Sequence, residues 1–247
     1  MAEQFLNHTL VYTEDPTGKK QHFRVCEIEF YLNSTDHPDT FTHGDPMQKL
    51  NAQWYFHKMN GSYKAGTYKG LDLSFGRPEI GAVGGILIRA IMPCEVNTEG
   101  GELVGKPLTG ELIEGPCNSV NRILESTLGN KDQGIKDLVQ MKSFSLDAFA
   151  SSSNFHLVKA SLPTRQLWQS PRVGLSLKKM DAEKPKYWLA DYRFLAYPEL
   201  HHKMKDTIIL GMIRAKESVS QITQLAKCKT DKVEQMRAAY LEGLKSD

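Results

Sequence analysis

The stretch from Val25 to Leu32 constrains the fold most, because its eight residues alternate strictly in character. Successive side chains of a β-strand point to opposite faces, so Glu27, Glu29 and Tyr31 share one face with Val25, and the other face is apolar. Two carboxylates and a phenol then lie within about 13 Å of each other. This pattern suits general acid–base chemistry, although a half-exposed strand with a solvated polar face would also produce it.

More acidic and imidazole groups follow in residues 33–49, a connection too long for a simple turn. Imidazole and carboxylate groups can ligate zinc, manganese or iron, so a metal-dependent hydrolase is one alternative. No HxH or HExxH spacing accompanies them, and the two aspartates beside Pro38 also fit turn chemistry. The residues concerned are Asp36, His37, Asp39, His43, Asp45 and His57.

Composition indicates a folded protein whose charge does not favour tight duplex binding. The 247 residues are 40% hydrophobic and 24% charged, which is ordinary for a globular chain. Residues 201–247 hold nine of the 31 Lys/Arg and six of the 29 Asp/Glu, so residues 1–200 carry a net charge of −1. Nucleic-acid-binding domains usually have a basic excess on one face.

The sequence predicts an intracellular protein, nuclear or cytoplasmic, with no membrane partner. Gly81 to Pro93 is too short to span a bilayer and contains Arg89, and the amino terminus has no basic region followed by an apolar one. The four cysteines form no CxxC pair, which fits a reducing compartment. Cys117 has no catalytic context and is expected to be structural.

The order of elements predicts an α+β fold: one domain with a mixed or antiparallel curved sheet and packed helices. Residues 1–22 look peripheral, with a turn at Asp15 to Gly18. Strands are predicted at residues 24–32, 54–57, 67–75 and 85–91, the last ending before Pro93, and a late strand at residues 187–189 within the stretch Ser176 to Leu189.

Helices are predicted after Gly115-Pro116 and in the carboxyl-terminal region. Asn118 or Ser119 can cap the first, Gly129 closes it, and its apolar stripe is Val120, Ile123, Leu124 and Leu128. Residues 1–200 form the predicted α+β body, and residues 201–247 form a helical extension that packs on it or binds a protein partner. The helical stripes there are Met212, Ala215, Val219, Ile222 and Ala226, and, after a cap at Thr230, Val233, Met236, Tyr240, Leu241 and Leu244.

Arg89 gives a further prediction, because it is flanked by Ile88 and Ala90 in the most apolar strand. A guanidinium buried there requires a carboxylate partner, and Glu27 or Glu29 is the candidate.

Several motifs in a shared order resemble the alkyladenine (3-methyladenine) DNA glycosylase family, from about Phe23 to Tyr197. The chain has a Glu-x-Glu strand, a polar histidine segment, an aromatic strand, a Leu-Ile-Arg-Ala strand and a Gly-Pro-helix junction. Pro171 to Leu175 is similar to the family's Arg-Val-Gly segment, and Lys184 to Phe194 to its closing strand.

The resemblance implies base-excision repair: hydrolysis of the N-glycosidic bond of a damaged purine in DNA, without metal or cofactor. Glu29 falls on the water-activating carboxylate and Arg89 on the arginine that helps place the water. Tyr31 falls on the pocket tyrosine, His43 (with His37 as the alternative) on the pocket histidine, and Phe56 or Tyr55 on the second stacking aromatic.

The chain differs from the family at two functional positions. Where the family inserts a tyrosine followed by glycine into the minor groove, this chain has Lys69 before Gly70, with Tyr68 one residue earlier. The asparagine that rejects guanine falls on Phe75 or Gly76. A nucleoside- or nucleotide-binding module without glycosylase activity is therefore the second alternative.

Overall fold

A pair of long antiparallel strands forms the centre of the molecule. The computed structural model describes residues 1–130, 132–175 and 184–245. Strand β2 (Lys20–Ser34) pairs with strand β8 (Val83–Glu99), from Phe23 opposite Pro93 to Asn33 opposite Val83. The strands predicted at residues 24–32 and 85–91 are confirmed, and both extend further than predicted.

The other elements surround this pair. The remaining strands are β1 (Thr9–Glu14), β3 (His37–Pro38), β4 (Asn51–Phe56), β5 (Lys58–Met59), β6 (Ser62–Tyr63), β7 (Leu71–Phe75), β9 (Glu102–Pro107), β10 (Ile113–Glu114), β11 (Phe155–Lys159), β12 (Trp168–Ser170) and β13 (Arg193–Leu195). The helices are α1 (Ala2–Asn7), α2 (Pro116–Leu128), α3 (Ile135–Gln140), α4 (Lys184–Trp188), α5 (Lys205–Arg214), α6 (Val219–Ala226) and α7 (Thr230–Gly243).

Eleven of the described strands form one antiparallel sheet, and the predicted single-domain α+β class is confirmed. The main path runs β11-β1-β2-β8-β7-β4. Strand β13 pairs with β2 opposite β8, and β9 and β10 pair with β8, while β5 and β6 form a separate hairpin.

One face of the sheet carries the main hydrophobic core. Alternate residues of the central strands point into it and meet the apolar sides of α1, α2 and α3. The buried stripe predicted for α2 is confirmed, since all four of its residues are buried here. Core residues from the strands include Val25, Ile28, Trp54, Phe56, Leu71, Leu73, Ile86, Ile88 and Ile91.

A β-bulge at Cys26 corrects the predicted alternation. Between the pairs Val25–Ile91 and Ile28–Ile88, only Glu27 is paired, with Ala90. Cys26 in β2 and Arg89 in β8 are therefore both extra residues. Val25 consequently lies in the main core, and not beside Glu27 as strict alternation predicted. Cys26 instead packs in a smaller cluster that includes Ala90.

Three further predictions are wrong. Residues 1–22 are not peripheral, because Phe5 and Leu6 of α1 are buried in the core. Strand β8 does not end before Pro93, which lies where the ladder with β2 finishes and pairing with β9 begins, a position that tolerates proline. Neither Asn118 nor Ser119 caps α2, because Gly115 is the N-cap and Pro116 occupies the first helical position.

The late strand predicted at residues 187–189 is also wrong. Tyr187 and Trp188 belong to helix α4, and such a short apolar run does not distinguish the two structures. The tertiary contacts decide, since the Tyr187 ring packs edge-on against His37 and its carbonyl accepts a hydrogen bond from Arg172. Residues 176–183 of this predicted segment lie outside the described residues.

The carboxyl-terminal region is helical as predicted, but the apolar residues predicted for two helices are distributed over three. Ser218 caps α6 and separates it from α5, while Thr230 lies inside α7, whose N-cap is Lys229. In α7, Val233 is buried, whereas two predicted stripe residues, Leu241 and Leu244, are half exposed. No helix in residues 1–130, 132–175 or 184–245 is long and apolar enough to cross a membrane.

Several contacts attach this region to the sheet. Helix α5 packs its Ile208, Ile209 and Met212 against Trp168 and Leu195 of β12 and β13. The Glu114 carboxylate accepts hydrogen bonds from the backbone N–H groups of His202 (3.1 Å) and Lys203 (2.9 Å). Burial opposes ionisation of Glu114, but His201 and the two N–H groups lower its pKa to about 2.

The lowered pKa of Glu114 predicts a pH-dependent contribution to stability. Its ordinary value is 4.5, so the contribution is complete above that pH and is lost as pH falls towards 2. Glu114→Gln should lower the free energy of unfolding by about 2–3 kcal/mol at pH 7 and by much less at pH 2.5. Urea unfolding at the two pH values measures the difference.

Glu125→Gln is the matched control, because the Glu125 carboxylate faces Arg122 at 3.5 Å on the surface. Such exposed pairs contribute about 0–1 kcal/mol. An equal cost of Glu114→Gln at both pH values would contradict the assigned contact.

Candidate functional site

The face of the sheet opposite the main core carries the polar groups, and we call it the polar face. Glu29 pairs with Leu87, Leu87 with Asp72, and Asp72 with Tyr55. Directly opposed residues of neighbouring strands point to the same side, so this row from β2, β8, β7 and β4 shares one face. Arg193 of β13, opposite Glu29, extends the row.

Glu29 is fully buried on this face and held by three donors. Its Oε1 accepts a hydrogen bond from the Val173 backbone N–H at 2.8 Å. Its Oε2 accepts hydrogen bonds from the Tyr31 hydroxyl at 2.8 Å and from Arg89 Nη1 at 3.3 Å. Among the described residues, these donors use three of the roughly four lone-pair positions of a carboxylate. These hydrogen bonds fix both oxygens in place.

Glu27 forms a second buried carboxylate centre beside the first. Its Oε1 accepts hydrogen bonds from Arg89 Nε at 2.8 Å and from Arg193 Nε at 2.7 Å. Burial would raise the pKa of Glu27, but Arg193, Arg89 and His201 outweigh it and lower that pKa. The predicted carboxylate partner of Arg89 is confirmed, and Arg89 binds both candidates.

The neighbouring groups keep Tyr31 and Arg89 protonated. Burial and the Glu29 carboxylate raise the pKa of Tyr31 well above its ordinary value, so its hydroxyl stays a donor. Burial opposes the charge of Arg89, but Glu29 and Glu27 overcome it and raise the pKa of the guanidinium. The Arg172 guanidinium lies over the Tyr31 ring, 4.5 Å from its centroid, and covers one of the ring's faces.

A cavity of about 540 Å³ opens beside this network. Glu27, Arg89 and Arg193 line one side, while Lys203 and the first turn of α2 line another. Its volume is in the range of ligand-binding pockets. Arg89 therefore connects the buried Glu29 to a space that a ligand could occupy.

A second polar centre lies between β7 and the residue that follows β4. His57 Nε2 and Asp72 Oδ1 are 2.7 Å apart, and Gln48 Nε2 donates to Asp72 Oδ2 at 3.0 Å. The Asp72 carboxylate is buried, and the His57 side chain is 12% exposed. Gly70 makes room for the imidazole, since a Cβ there would meet His57 Nδ1 at 2.4 Å.

The predicted aromatic and histidine residues divide between the two faces. Tyr55 lies on the polar face, with its ring centroid 5.4 Å from that of His57. His43 is exposed, and its ring centroid lies 4.4 Å from that of His57 and 6.3 Å from that of Tyr55. Phe56 lies in the main core, so the structure favours Tyr55 over Phe56 as the pocket aromatic.

The predicted wedge region lies next to the cavity. Tyr68, in a 3₁₀ turn at Gly66–Tyr68, is 78% exposed. Thr67 lines the cavity, and Lys69 lines a neighbouring groove along α2, where its Nζ donates to Asn121 at 2.7 Å. Tyr68 therefore lies in the chain between a residue that lines the cavity and one that lines the groove, and its ring is exposed to solvent.

Neither Phe75 nor Gly76, where the guanine-rejecting asparagine was expected, has a side chain that can form hydrogen bonds. Phe75 packs its ring against Phe30 beside the main core. A Cβ at Gly76 would lie 2.1 Å from the Gln48 carbonyl oxygen, so that position cannot carry a side chain.

The residues considered as metal ligands do not form one cluster. Asp36 is exposed, Asp39 forms a buried ion pair with Arg172, and His57 binds Asp72. Within the described ranges, no group of three or more His, Cys, Asp or Glu side chains is arranged to hold a metal ion. All four cysteines are free, and Cys117 Sγ donates to the Gly66 carbonyl at 3.0 Å.

Sequence analysis missed Asp72 as a site residue and the polar roles of Arg172, Arg193 and His201. A charge between two apolar residues, as in Leu71-Asp72-Leu73, was an available signal. His201 had no such signal, because its neighbours in space, Glu27 and Glu114, come from distant strands.

The structure predicts that Gly85 is required for the packing around Asp72. A Cβ at Gly85 would lie 2.5 Å from Asp72 Oδ2 and 2.8 Å from Gln48 Nε2. Gly85→Ala should therefore lower the free energy of unfolding by about 1–3 kcal/mol. Urea unfolding measures it, with Gly110→Ala as the control because Gly110 has open space around its Cβ position. Equal stability of the two variants would refute the assigned packing.

Comparison with known proteins identifies a viral relative. No protein-family model matches the chain. A protein of Acanthamoeba polyphaga mimivirus, named Uncharacterized protein L759, is 35% identical to it over 199 residues, which cover 75% of this chain and 82% of the viral protein. The chain therefore belongs to the same family as mimivirus protein L759.

Proposed function

We propose that this protein hydrolyses the N-glycosidic bond of a modified purine in DNA. The observation that carries the proposal is the fixed, buried Glu29 carboxylate, held by Tyr31, Arg89 and the Val173 amide. These residues belong to motifs whose order resembles alkyladenine DNA glycosylases. Breaking the bond creates positive charge on the sugar, which a nearby carboxylate stabilises.

The chemistry assigns a role to each group. Glu29 takes a proton from the attacking water, and Arg89 and Val173 hold its oxygens in place. Tyr31 donates a hydrogen bond to the same carboxylate and offers one ring face to a base. A base reaches such a pocket only when it is flipped out of the duplex, which favours weakened pairs.

Glu29→Gln should strongly slow base release. Duplex DNA carrying hypoxanthine or 3-methyladenine is incubated with excess protein, and free base is measured under single-turnover conditions. The variant should be slower by about 10²–10⁴-fold, the usual contribution of a general base. Glu99→Gln, at the exposed end of β8, is the control. Release by the parent and the Glu29 variant at equal rates would contradict the role of Glu29.

Tyr68 is the proposed wedge, because its side chain is 78% exposed and it directly follows Thr67, which lines the cavity. An aromatic side chain inserted into the stack compensates for the flipped base. Tyr68→Ala should reduce release from duplex DNA about tenfold or more, with a smaller effect on single-stranded DNA. Leu241→Ala, which alters a half-exposed apolar residue of α7, is the control. An equal reduction on both substrates would argue against a wedge.

A nucleoside- or nucleotide-binding module is the second candidate. It is favoured by one observation: Glu29 is fully buried, whereas Glu27, Arg89 and Arg193 line the cavity. Binding of a free purine nucleoside, measured by calorimetry, without base release from any DNA substrate would select this candidate.

The helices α5 to α7 remain a proposed surface for a protein partner.

A further inference from the structure

We propose that the cavity beside Arg89 binds a terminal phosphate group, through three cationic side chains that line it. These cations are Arg89, Arg193 and Lys203. The inference goes beyond the proposed hydrolysis, because it concerns a binding site and requires no reaction at a base.

Both arginines keep N–H donors that their contacts with the protein do not use. Arg89 donates through Nε to Glu27 and through Nη1 to Glu29. Arg193 donates through Nε to Glu27 and through Nη1 to the Thr207 hydroxyl. In the part of the chain that the structure describes, these bonds leave the Nη2 group of each guanidinium without an acceptor. Since a guanidinium has five N–H donors, both side chains can also bind a ligand in the cavity that they line.

Lys203 places an ammonium group at the positive end of helix α2. A Cβ built on Gly115, the N-cap of this helix, would lie 3.7 Å from Lys203 Nζ. Among the described residues, Lys203 donates one hydrogen bond, from its backbone N–H to Glu114, so its ammonium is available. The N-terminus of a helix carries a partial positive charge. An anion beside Gly115 therefore interacts favourably with both the ammonium and the helix.

The carboxylates that line the cavity balance only part of its positive charge. Glu27 Oε1 accepts hydrogen bonds from both arginines, and Glu114 accepts hydrogen bonds from two backbone N–H groups. These are two carboxylates against three cations, which leaves one positive charge in excess. The excess charge and the unused N–H donors both favour an anionic ligand.

A terminal phosphate group matches this arrangement. It carries a charge of about −1.5 to −2 at pH 7 and has three oxygens that are strong hydrogen-bond acceptors. Guanidinium groups bind phosphate oxygens with directed N–H groups, and an ammonium binds them as a point charge. The cavity volume of about 540 Å³ is in the range of small-molecule sites, so it also has space for the group that carries the phosphate.

Calorimetry on the full chain tests the site with four probes: inorganic phosphate, inosine 5′-monophosphate, inosine, and a single-stranded oligonucleotide without a terminal phosphate. The two probes with a terminal phosphate should bind, and inosine should bind at least about tenfold more weakly than its monophosphate because it lacks the charged group. Lys203→Gln should weaken binding of the monophosphate about tenfold or more, because it removes a charge-assisted hydrogen bond.

Lys142→Gln is the matched control, because Lys142 is exposed and does not line the cavity. It should leave every affinity unchanged. Lys203 is itself exposed, and its backbone bond to Glu114 is retained in the variant, so Lys203→Gln should fold. Lys203→Glu is the second variant, and its reversed charge should remove phosphate binding.

Binding of inorganic phosphate or the monophosphate that depends on Lys203 supports the inference. Failure of both probes to bind the parent, or equal affinities of the parent and Lys203→Gln, would overturn it. Binding of the oligonucleotide alone would also overturn it, because the site would then recognise a backbone phosphodiester. Base release from DNA is a separate measurement, so failure of this inference is distinguishable from failure of the proposed function.

Discussion

The sharing of Arg89 between two buried carboxylates is the interaction on which the rest of the site depends. Arg89 Nε lies 2.8 Å from Glu27 and Nη1 lies 3.3 Å from Glu29, across the central pair β2 and β8. Removing one partner of such a network leaves an uncompensated buried charge, which costs about 3–5 kcal/mol. The network is therefore a constraint on the fold as well as a candidate catalytic centre.

The same network joins the helical carboxyl-terminal region to the sheet. Arg193 binds Glu27 through Nε and the Thr207 hydroxyl of α5 through Nη1. His201 lies 3.5 Å from Glu27 and 3.4 Å from Glu114. The body and the extension thus meet at the polar face, and changes in the extension should reach the Glu27 centre.

The sequence predicted what depends on local pattern and missed what depends on contacts between distant strands. Alternation predicted β2 and the shared face of Glu29 and Tyr31, and the isolated charge of Arg89 predicted its carboxylate partners. The bulge at Cys26 was not predictable, because one extra residue leaves the pattern of letters unchanged. The His57–Asp72 pair was missed because the two residues are 15 positions apart and come together only where β4 ends beside β7.

Binding of a charged transition-state mimic tests the central claim, that Glu29 stabilises positive charge at a sugar, most directly. The affinity of the parent and of Glu29→Gln is measured for duplex DNA containing a cationic pyrrolidine abasic analogue and for the neutral tetrahydrofuran analogue. Transition-state mimics bind about 10²-fold or more tightly than substrates, so a mimic that carries the charge should bind more tightly than one that lacks it. The account predicts this preference in the parent and its loss in the variant. Equal affinity of the parent for both analogues would contradict it.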